Sequence, residues 1–371
     1  MTGAVHKNQS AQLTQLAEAI RAAVGAGGPV AIKGGGTKPW LGRQAGRPEA
    51  VLDISPYQGV VEYRPEELMV RVKAGTRLAE LNSLLAEAGQ FLAFEPPLSG
   101  AHATVGGAVA AGLSGARRPY TGAVRDYILG AGLMGADGDY REFGGQVMKN
   151  VAGYDVSRLL VGSLGMLGVI VDVSFKLLPL PRAETTLAVA RDAADSLAMF
   201  RRMKRDGLPL SGACWFDGCA LLRLSGDAVT VKSVADGLKS AEGASEDNPD
   251  LWASLDARQH ELFAAGGDAS ADSMAFSCSP GRPLDADYDL IAWGGAQRWV
   301  CGDGAASVNG VGDVDGAGEG VMTWTRYPSS RTDQGEVFSP LSDVQLRIHQ
   351  GLKTAFDPGR VFNPDIMYRG L

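Results

Sequence analysis

The chain has 371 residues, of which 45% are hydrophobic and 21% charged, and its formal net charge is −7. A chain of this length is expected to fold into more than one compact unit. The acidic balance argues against a nucleic-acid surface, which needs a clustered basic face, and against electrostatic docking on an anionic membrane. No window approaches the roughly 20 apolar residues that span a bilayer, so we expect no direct membrane insertion.

The amino-terminal residues and the cysteines indicate a compartment. Residues 1–10 are polar and lack the apolar centre of a signal peptide. Cys214, Cys219, Cys278 and Cys301 form no CxxC pair and have no histidine at zinc-ligand spacing. Dispersed thiols in a chain of this length are typical of reduced cytosolic proteins. We therefore expect a cytoplasmic protein, with any membrane association made through partners, and no metal site.

Glycine is the compositional outlier, with 50 residues, about twice the usual share. The glycines cluster in 25–42, 100–168 and 302–320, which indicates loops at defined places rather than a uniform bias. The last cluster contains Asp313-Val314-Asp315-Gly316. It lacks the other oxygen ligands and the closing glutamate of a calcium loop, so it predicts no calcium site.

The chain begins with a predicted helix, which Ser10 is expected to cap and Gly25 to end. A short apolar strand at 30–33 then leads into Lys33-Gly34-Gly35-Gly36-Thr37. Three consecutive glycines suit a tight turn whose N–H groups converge on an anion, and Lys33 and Lys38 add positive charge. The alternative is a flexible glycine-rich surface turn, since a single glycine loop is a weak signal.

A second glycine-rich region lies at 104–115. Strands predicted at 50–54, 60–64 and 68–73 precede it, with a helix that Thr76 is expected to cap. Thr104 is expected to cap a short helix made almost wholly of small residues. Small side chains allow the backbone to approach a planar ligand closely; the alternative is a tightly packed core helix.

The next elements complete one unit and begin another. A strand at 128–133, a hairpin at Asp137-Gly138-Asp139 and a β-branched strand at 169–175 follow. Residues 184–350 change character and alternate strands with helices, the helices being expected at 192–205, 227–241 and 250–263. A final helix is predicted at 341–355.

Four blocks and a carboxy-terminal motif stand in one order: 33–37, 103–115, 150–155, 162–170 and 356–364. Together they resemble the FAD-binding domain of the vanillyl-alcohol-oxidase (PCMH-type) flavoprotein family. The stretches 114–126 and 144–155 are most similar to the FAD-binding subunits of glycolate oxidase (dehydrogenase) complexes. The resemblance implies an α+β fold: a PCMH-type domain of two α+β subdomains at 1–180, a smaller α+β cap or substrate domain at 181–350, and a tail at 351–371 that packs back on the FAD domain.

The resemblance also implies the cofactor and its contacts. FAD would lie with its diphosphate on the glycine turn and on the second glycine-rich region. Residues 168–170 would present backbone groups to the edge of the adenine or flavin ring. Some relatives attach the flavin through a histidine just after the turn; Thr37 stands there in this chain, so we expect non-covalent FAD. The expected cofactor-binding residues are Lys33, Gly34, Gly35, Gly36, Thr37, Lys38, Pro97, Ala103, Thr104, Val105, Gly106, Gly107, Gly112, Ser114, Gly115, Asn150, Gly153, Tyr154, Gly168, Val169 and Ile170.

Catalytic residues are less clearly marked. Relatives that oxidise 2-hydroxy acids carry His-rich metal motifs in the substrate domain, and this chain has only the widely separated His260 and His349 there. The candidates are His102, as a catalytic group or a polar loop residue, and Tyr154, which is either structural or in contact with the flavin. Arg117 and Arg118 are candidates for gripping a carboxylate, contacting phosphate or pairing at a subunit interface.

The resemblance implies an oxidoreductase subunit that acts on glycolate together with a second flavin subunit and an iron–sulfur subunit, with the small 2-hydroxy acid bound at the level of the complex. Two alternatives stay open: a free-standing FAD-dependent hydroxy-acid or alcohol oxidoreductase, and a scaffold subunit whose flavin site is degenerate.

Overall fold

The computed structural model describes residues 2–43, 48–145, 155–263, 272–302, 322–327 and 335–371. Asn150, Gly153 and Tyr154, and the Asp313–Gly316 stretch, lie outside the described residues. Within the described part, no helix combines the length and apolarity that crossing a bilayer requires.

The amino-terminal half is built on a five-stranded antiparallel sheet in the order β3-β4-β8-β6-β7, next to a parallel pair β1-β2 and a small antiparallel pair β5-β9. Its strands are β1 (Val30–Lys33), β2 (Ala50–Asp53), β3 (Val60–Arg64), β4 (Met69–Lys73), β5 (Gln90–Phe91), β6 (Ile128–Met134), β7 (Tyr140–Gly144), β8 (Val169–Lys176) and β9 (Leu178–Pro179). Its helices are α1 (Thr2–Gly25), α2 (Leu78–Glu87), α3 (Val105–Ala111), α4 (Arg118–Thr121) and α5 (Val156–Leu159).

The β-branched run of β8 lies at the centre of this sheet. Its residues from Val169 to Phe175 are buried on both faces, as expected for a strand with other elements above and below it. The small-residue helix α3 packs against β8, so the second glycine-rich region is held by the best-buried strand of this half.

The carboxy-terminal half contains an eight-stranded sheet in the order β13-β10-β12-β11-β15-β16-β14-β17. Its strands are β10 (Ala183–Ala190), β11 (Leu210–Phe216), β12 (Cys219–Gly226), β13 (Ser245–Glu246), β14 (Ser273–Ser277), β15 (Leu290–Ala292), β16 (Gln297–Cys301) and β17 (Thr323–Tyr327). The helices that follow or separate them are α6 (Ala193–Arg205), α7 (Ala228–Glu242), α8 (Asp250–Asp256) and α9 (Asp343–Phe356).

The two faces of the eight-stranded sheet have different neighbours. One face forms a core with α6 and α7. Alternate side chains, such as Leu221, point to the other face and pack with Trp252 of α8, Ala116 and, at its edge, Trp40. Ala116 and Trp40 belong to the first half of the chain, so the two halves meet on this second face.

The carboxy-terminal segment returns to the first half. Phe362 is fully buried in the core of that half and forms a bridge with Val30. Asn363 accepts a hydrogen bond from the Ile32 N–H at 2.9 Å and donates one to the Leu164 carbonyl at 2.7 Å. These contacts hold β1 against the loop that precedes β8. The domain boundaries expected at residues 180 and 350 stay predictions.

The predicted elements are mostly confirmed, with three corrections. Helix α1 begins at Thr2, so Ser10 lies inside it; the residues before Ser10 contain no proline to stop the helix. The cap of α2 is Arg77, because the Thr76 hydroxyl instead accepts the Gly59 N–H at 2.9 Å. Helix α8 ends at Asp256 rather than continuing to 263, since the backbone turns at Arg258, whose φ is +56°.

Candidate functional site

The glycine turn after β1 carries unused backbone donors. The N–H groups of Gly34, Gly35 and Gly36 donate no hydrogen bond to any described residue. Gly36 has φ +63°, a left-handed conformation that favours glycine. Consecutive N–H groups without acceptors in such a turn form a concave site for an anion. The geometry therefore favours the anion-binding interpretation of this turn over a plain surface loop.

The second glycine-rich region packs directly on this turn. A Cβ added to Gly35 would overlap the His102 carbonyl, and one added to Gly34 would lie 2.5 Å from the Thr104 hydroxyl. Thr104 is itself buried and caps α3, as predicted, by accepting the Gly107 N–H at 3.3 Å. The two runs of small residues thus form one continuous surface, which we call the cradle (residues 33–38 and 102–107).

Lys38 places an unpaired charge at the cradle. Its side chain is half-buried, and loss of hydration lowers the pKa of its ammonium group to about 8. It makes no ion pair with an acidic residue of the described chain. A bound diphosphate would supply the missing counter-charge, and the free amides of Gly34 to Gly36 would supply hydrogen bonds. The cradle therefore fits the diphosphate of a dinucleotide.

The small residues of helix α3 can be interpreted either as room for a ligand or as tight packing in the core, and the structure bears on both interpretations. Gly106 is buried, and a Cβ there would lie 2.7 Å from the Ala74 side chain; Gly112, with φ +67°, ends the helix against Gly162. These two glycines are thus required by packing within the chain. Gly107 is exposed at the start of the helix, where an added Cβ would lie 3.1 Å from the Thr104 hydroxyl.

The other predicted cofactor residues lie at varied depths. Gly168, with φ +139°, directly precedes β8, and Val169 and Ile170 are buried within that strand. Ser114 is buried, and its hydroxyl accepts the Val124 N–H at 3.2 Å. Their contacts with a cofactor stay predictions, as do those of Lys33, Thr37, Ala103 and Val105.

A cavity lies where the two halves meet, next to the residues that follow α3. Its volume is about 70 Å³, enough for several water molecules. Aromatic side chains and two arginines dominate its wall. From the first half it is lined by Trp40, Pro97, Leu113, Ser114, Ala116 and Arg118; from the second half its walls include Trp252, Asp256, Arg258, Trp293, Trp299 and Tyr327.

Arg117 connects the two halves. Its Nε donates to Glu95 at 2.8 Å and its Nη1 to the Ser225 hydroxyl at 3.0 Å, and its Nη2 pairs with Glu184. Arg223 of the second half donates to the same Glu95 at 2.8 Å. All three guanidinium nitrogens of Arg117 have partners within the chain. Arg117 is thus a structural link between the halves, and its candidacy for a carboxylate, a phosphate or a subunit interface stays a prediction.

Arg118 has a different environment. Its guanidinium lies 4.5 Å from the ring centre of Trp293, and no described carboxylate forms an ion pair with it. Loss of hydration, followed by the nearby Arg125, lowers its pKa. His102, a candidate that belongs to the cradle, is exposed. Arg118 therefore remains available to a ligand in the cavity.

Two wall residues gave no signal in the sequence. Asp256 accepts the Ala116 N–H at 3.1 Å; burial, with the negative charge of Glu95, raises the pKa of its carboxyl to about 8. Arg258 follows two residues later. Neither residue belongs to a sequence motif, because the residues that surround each of them come from distant segments of the chain. Among the described residues, no cluster of three or more His, Cys, Asp or Glu is placed to hold a metal ion.

Comparisons with known proteins agree with this geometry. Residues 9–144 match a family model described as an FAD binding domain. Glycolate oxidase subunit GlcE of Escherichia coli (strain K12) is 38% identical over 96% of this chain and 97% of its own length. Glycolate oxidase subunit GlcD of Bacillus subtilis (strain 168) is 31% identical, over 46% of this chain and 36% of that protein.

A solved structure supports the fold. An alkyldihydroxyacetonephosphate synthase superposes with a TM-score of 0.62 over 93% of this chain and 73% of that one, at 14% sequence identity. Together with the match to the FAD binding domain, this confirms the predicted α+β architecture with an amino-terminal FAD-binding domain.

Proposed function

The chain belongs to the family of GlcE-type glycolate oxidase subunits and carries an FAD binding domain, and from this premise we propose that it is the FAD-holding subunit of a multi-subunit glycolate oxidase (dehydrogenase). The complex oxidises glycolate, or a related 2-hydroxy acid, to the 2-oxo acid glyoxylate or its counterpart. The electrons leave through a second flavin subunit and an iron–sulfur subunit.

The cradle is the observation that carries this proposal. Three consecutive backbone amides without acceptors and the unpaired Lys38 suit the FAD diphosphate. These residues would hold FAD, which would supply a hydride acceptor for oxidation of the carbon that bears the hydroxyl group. The chain's own contribution is to bind and orient this cofactor without a covalent bond, since Thr37 occupies the position at which some flavoproteins of this fold carry a histidine.

The similarity to GlcD supports a second flavin subunit. The match covers 46% of this chain and 36% of GlcD, which supports a partner that is related over part of its length and carries additional segments. We propose that turnover of glycolate requires these partners and that the isolated chain binds FAD without oxidising glycolate at a measurable rate.

The experiment compares the purified chain with the chain co-expressed with its partner subunits. We expect a yellow protein with a flavin absorption spectrum, whose FAD appears in the supernatant after acid precipitation. Glycolate-dependent dye reduction should occur with the partners present and be absent from the single chain. Turnover by the single chain would show a free-standing oxidoreductase instead. A colourless chain that takes up no added FAD would show a scaffold.

A further inference from the structure

Arg258 stands in an aromatic cage at the wall of the cavity between the two halves. Its guanidinium carbon lies 4.3 Å from the ring centre of Tyr327, 4.8 Å from that of Trp40, 5.4 Å from that of Phe263 and 5.9 Å from that of Trp299. Such rings attract the cation through their faces and occupy the planar surfaces of the guanidinium. Its N–H edge is the part left for hydrogen bonding.

That edge is incompletely used. Nη2 donates to the Ser273 hydroxyl at 2.5 Å, and Nε is buried without a partner. Arg191 and Arg298 also have a buried Nε without a hydrogen-bond partner, but each of them contacts a carboxylate. Arg258 contacts none in the described part of the chain.

A guanidinium that has lost hydration and gained no anion is unfavourable. Accordingly, burial lowers the pKa of Arg258. The same cavity wall contains Arg118, which also lacks a described carboxylate partner, and the carboxyl of Asp256, whose pKa of about 8 keeps it mostly neutral at pH 7. The cavity is therefore cationic and bordered by aromatic rings.

We propose that this chain itself binds a small carboxylate in the cavity between its halves, with the N–H edge of Arg258 as the principal contact and Arg118 as the second cation. The volume of about 70 Å³ has room for an acid of two to four carbons. A planar carboxylate matches the paired N–H groups of a guanidinium better than a tetrahedral anion does. The identification of the ligand as a 2-hydroxy or 2-oxo acid rests on the proposed function.

The test is a calorimetric titration of the full-length, FAD-loaded chain with oxalate, a small unreactive carboxylate. We expect saturable binding that Arg258→Leu weakens tenfold or more and that Arg118→Leu weakens less. Arg191→Leu is the matched control, since Arg191 is paired with Glu242 and does not line the cavity; it should leave oxalate binding unchanged. The flavin absorption band provides a second readout, because a bound anion next to the cofactor domain should perturb it.

Two further variants keep the test decisive if Arg258→Leu fails to fold. Ala292→Leu narrows the cavity while keeping Arg258, and should abolish oxalate binding; Arg258→Lys keeps the charge but loses the planar N–H edge, and should bind oxalate more weakly than the parent. No oxalate binding by the parent at millimolar concentration, or equal binding by Ala292→Leu, would overturn the site.

A parallel titration with sulfate, a tetrahedral anion, tests whether the cavity prefers carboxylates. Sulfate binding as tight as oxalate binding would overturn the assignment to carboxylates. The titration needs neither partner subunits nor turnover, so failure of the proposed function in the dye-reduction assay is distinguishable from failure of this site.

Discussion

Two regions at the junction of the halves handle buried charge in opposite ways. Around Glu95, the guanidinium groups of Arg117 and Arg223 are matched by carboxylates and a hydroxyl from both halves of the chain. In the adjoining cavity, Arg118 and Arg258 have aromatic neighbours and no described carboxylate. Arg117 and Arg118 are consecutive, yet one closes the fold and the other faces the space left for a ligand.

The cradle belongs with the cavity in this comparison. The amides of Gly34 to Gly36 and the ammonium group of Lys38 also lack partners among the described residues, and they lie where a dinucleotide is proposed to bind. Unmatched groups cost folding free energy. Substitutions in the matched region should therefore change stability, whereas substitutions in the unmatched region should change binding.

The largest expected effect is on stability, from Glu95→Gln. This change leaves Arg117 and Arg223 without their shared carboxylate, and breaking a buried ion pair in this way costs about 3–5 kcal/mol. Denaturant unfolding measures the loss. The control Glu67→Gln removes an exposed pair with Arg64 and should change the free energy of unfolding by less than about 1 kcal/mol. Equal effects of the two substitutions would break the comparison.

The next largest effect is on FAD binding, from Gly35→Ala. The added methyl overlaps the His102 carbonyl, so the turn must shift away from the second glycine-rich region. Overpacking of about 1–3 kcal/mol corresponds to a roughly ten- to hundredfold rise in the FAD dissociation constant. Fluorescence quenching on FAD titration measures this constant. Gly237→Ala, in open space on α7, is the control and should bind FAD as the parent does.

The smallest effect is expected from Lys38→Met. We expect FAD to bind roughly tenfold more weakly, and the flavin-free protein to become slightly more stable at pH 7, because an unpaired ammonium is no longer desolvated. The pKa of Lys38 is about 8 when folded, below its ordinary 10.5, so the unfolded chain binds more protons between these values. The stability of the flavin-free parent should therefore gain a contribution as pH rises from about 8 to 10.5.

Thermal unfolding of flavin-free parent and variant across that pH range isolates this contribution, which Lys38→Met should remove. If the flavin-free variant is less stable than the flavin-free parent, Lys38 stabilises the folded state. The cradle would then resemble the paired arginines around Glu95 and not the unpaired arginines of the cavity.

Much of the cradle was predictable because its residue types answer to local backbone requirements. A run of three glycines after a strand, and a threonine before a helix of small residues, have a meaning that depends on turn and cap geometry alone. For the same reason most strands and helices fell where the apolar pattern placed them, whereas the ends of α1, α2 and α8 depended on neighbouring segments.

By itself, the sequence determined the two glycine-rich loops, the α+β order and the similarity to flavoprotein subunits. The tertiary structure decided that Arg117, and not the adjacent Arg118, is paired with carboxylates. It alone revealed that Arg258 and Asp256 line the cavity. The aromatic rings around Arg258 come from Trp40, Phe263, Trp299 and Tyr327, separated along the chain and joined by the packing of the two halves. The state of a buried charge depends on partners brought together by folding, and no local pattern of residues encodes those partners.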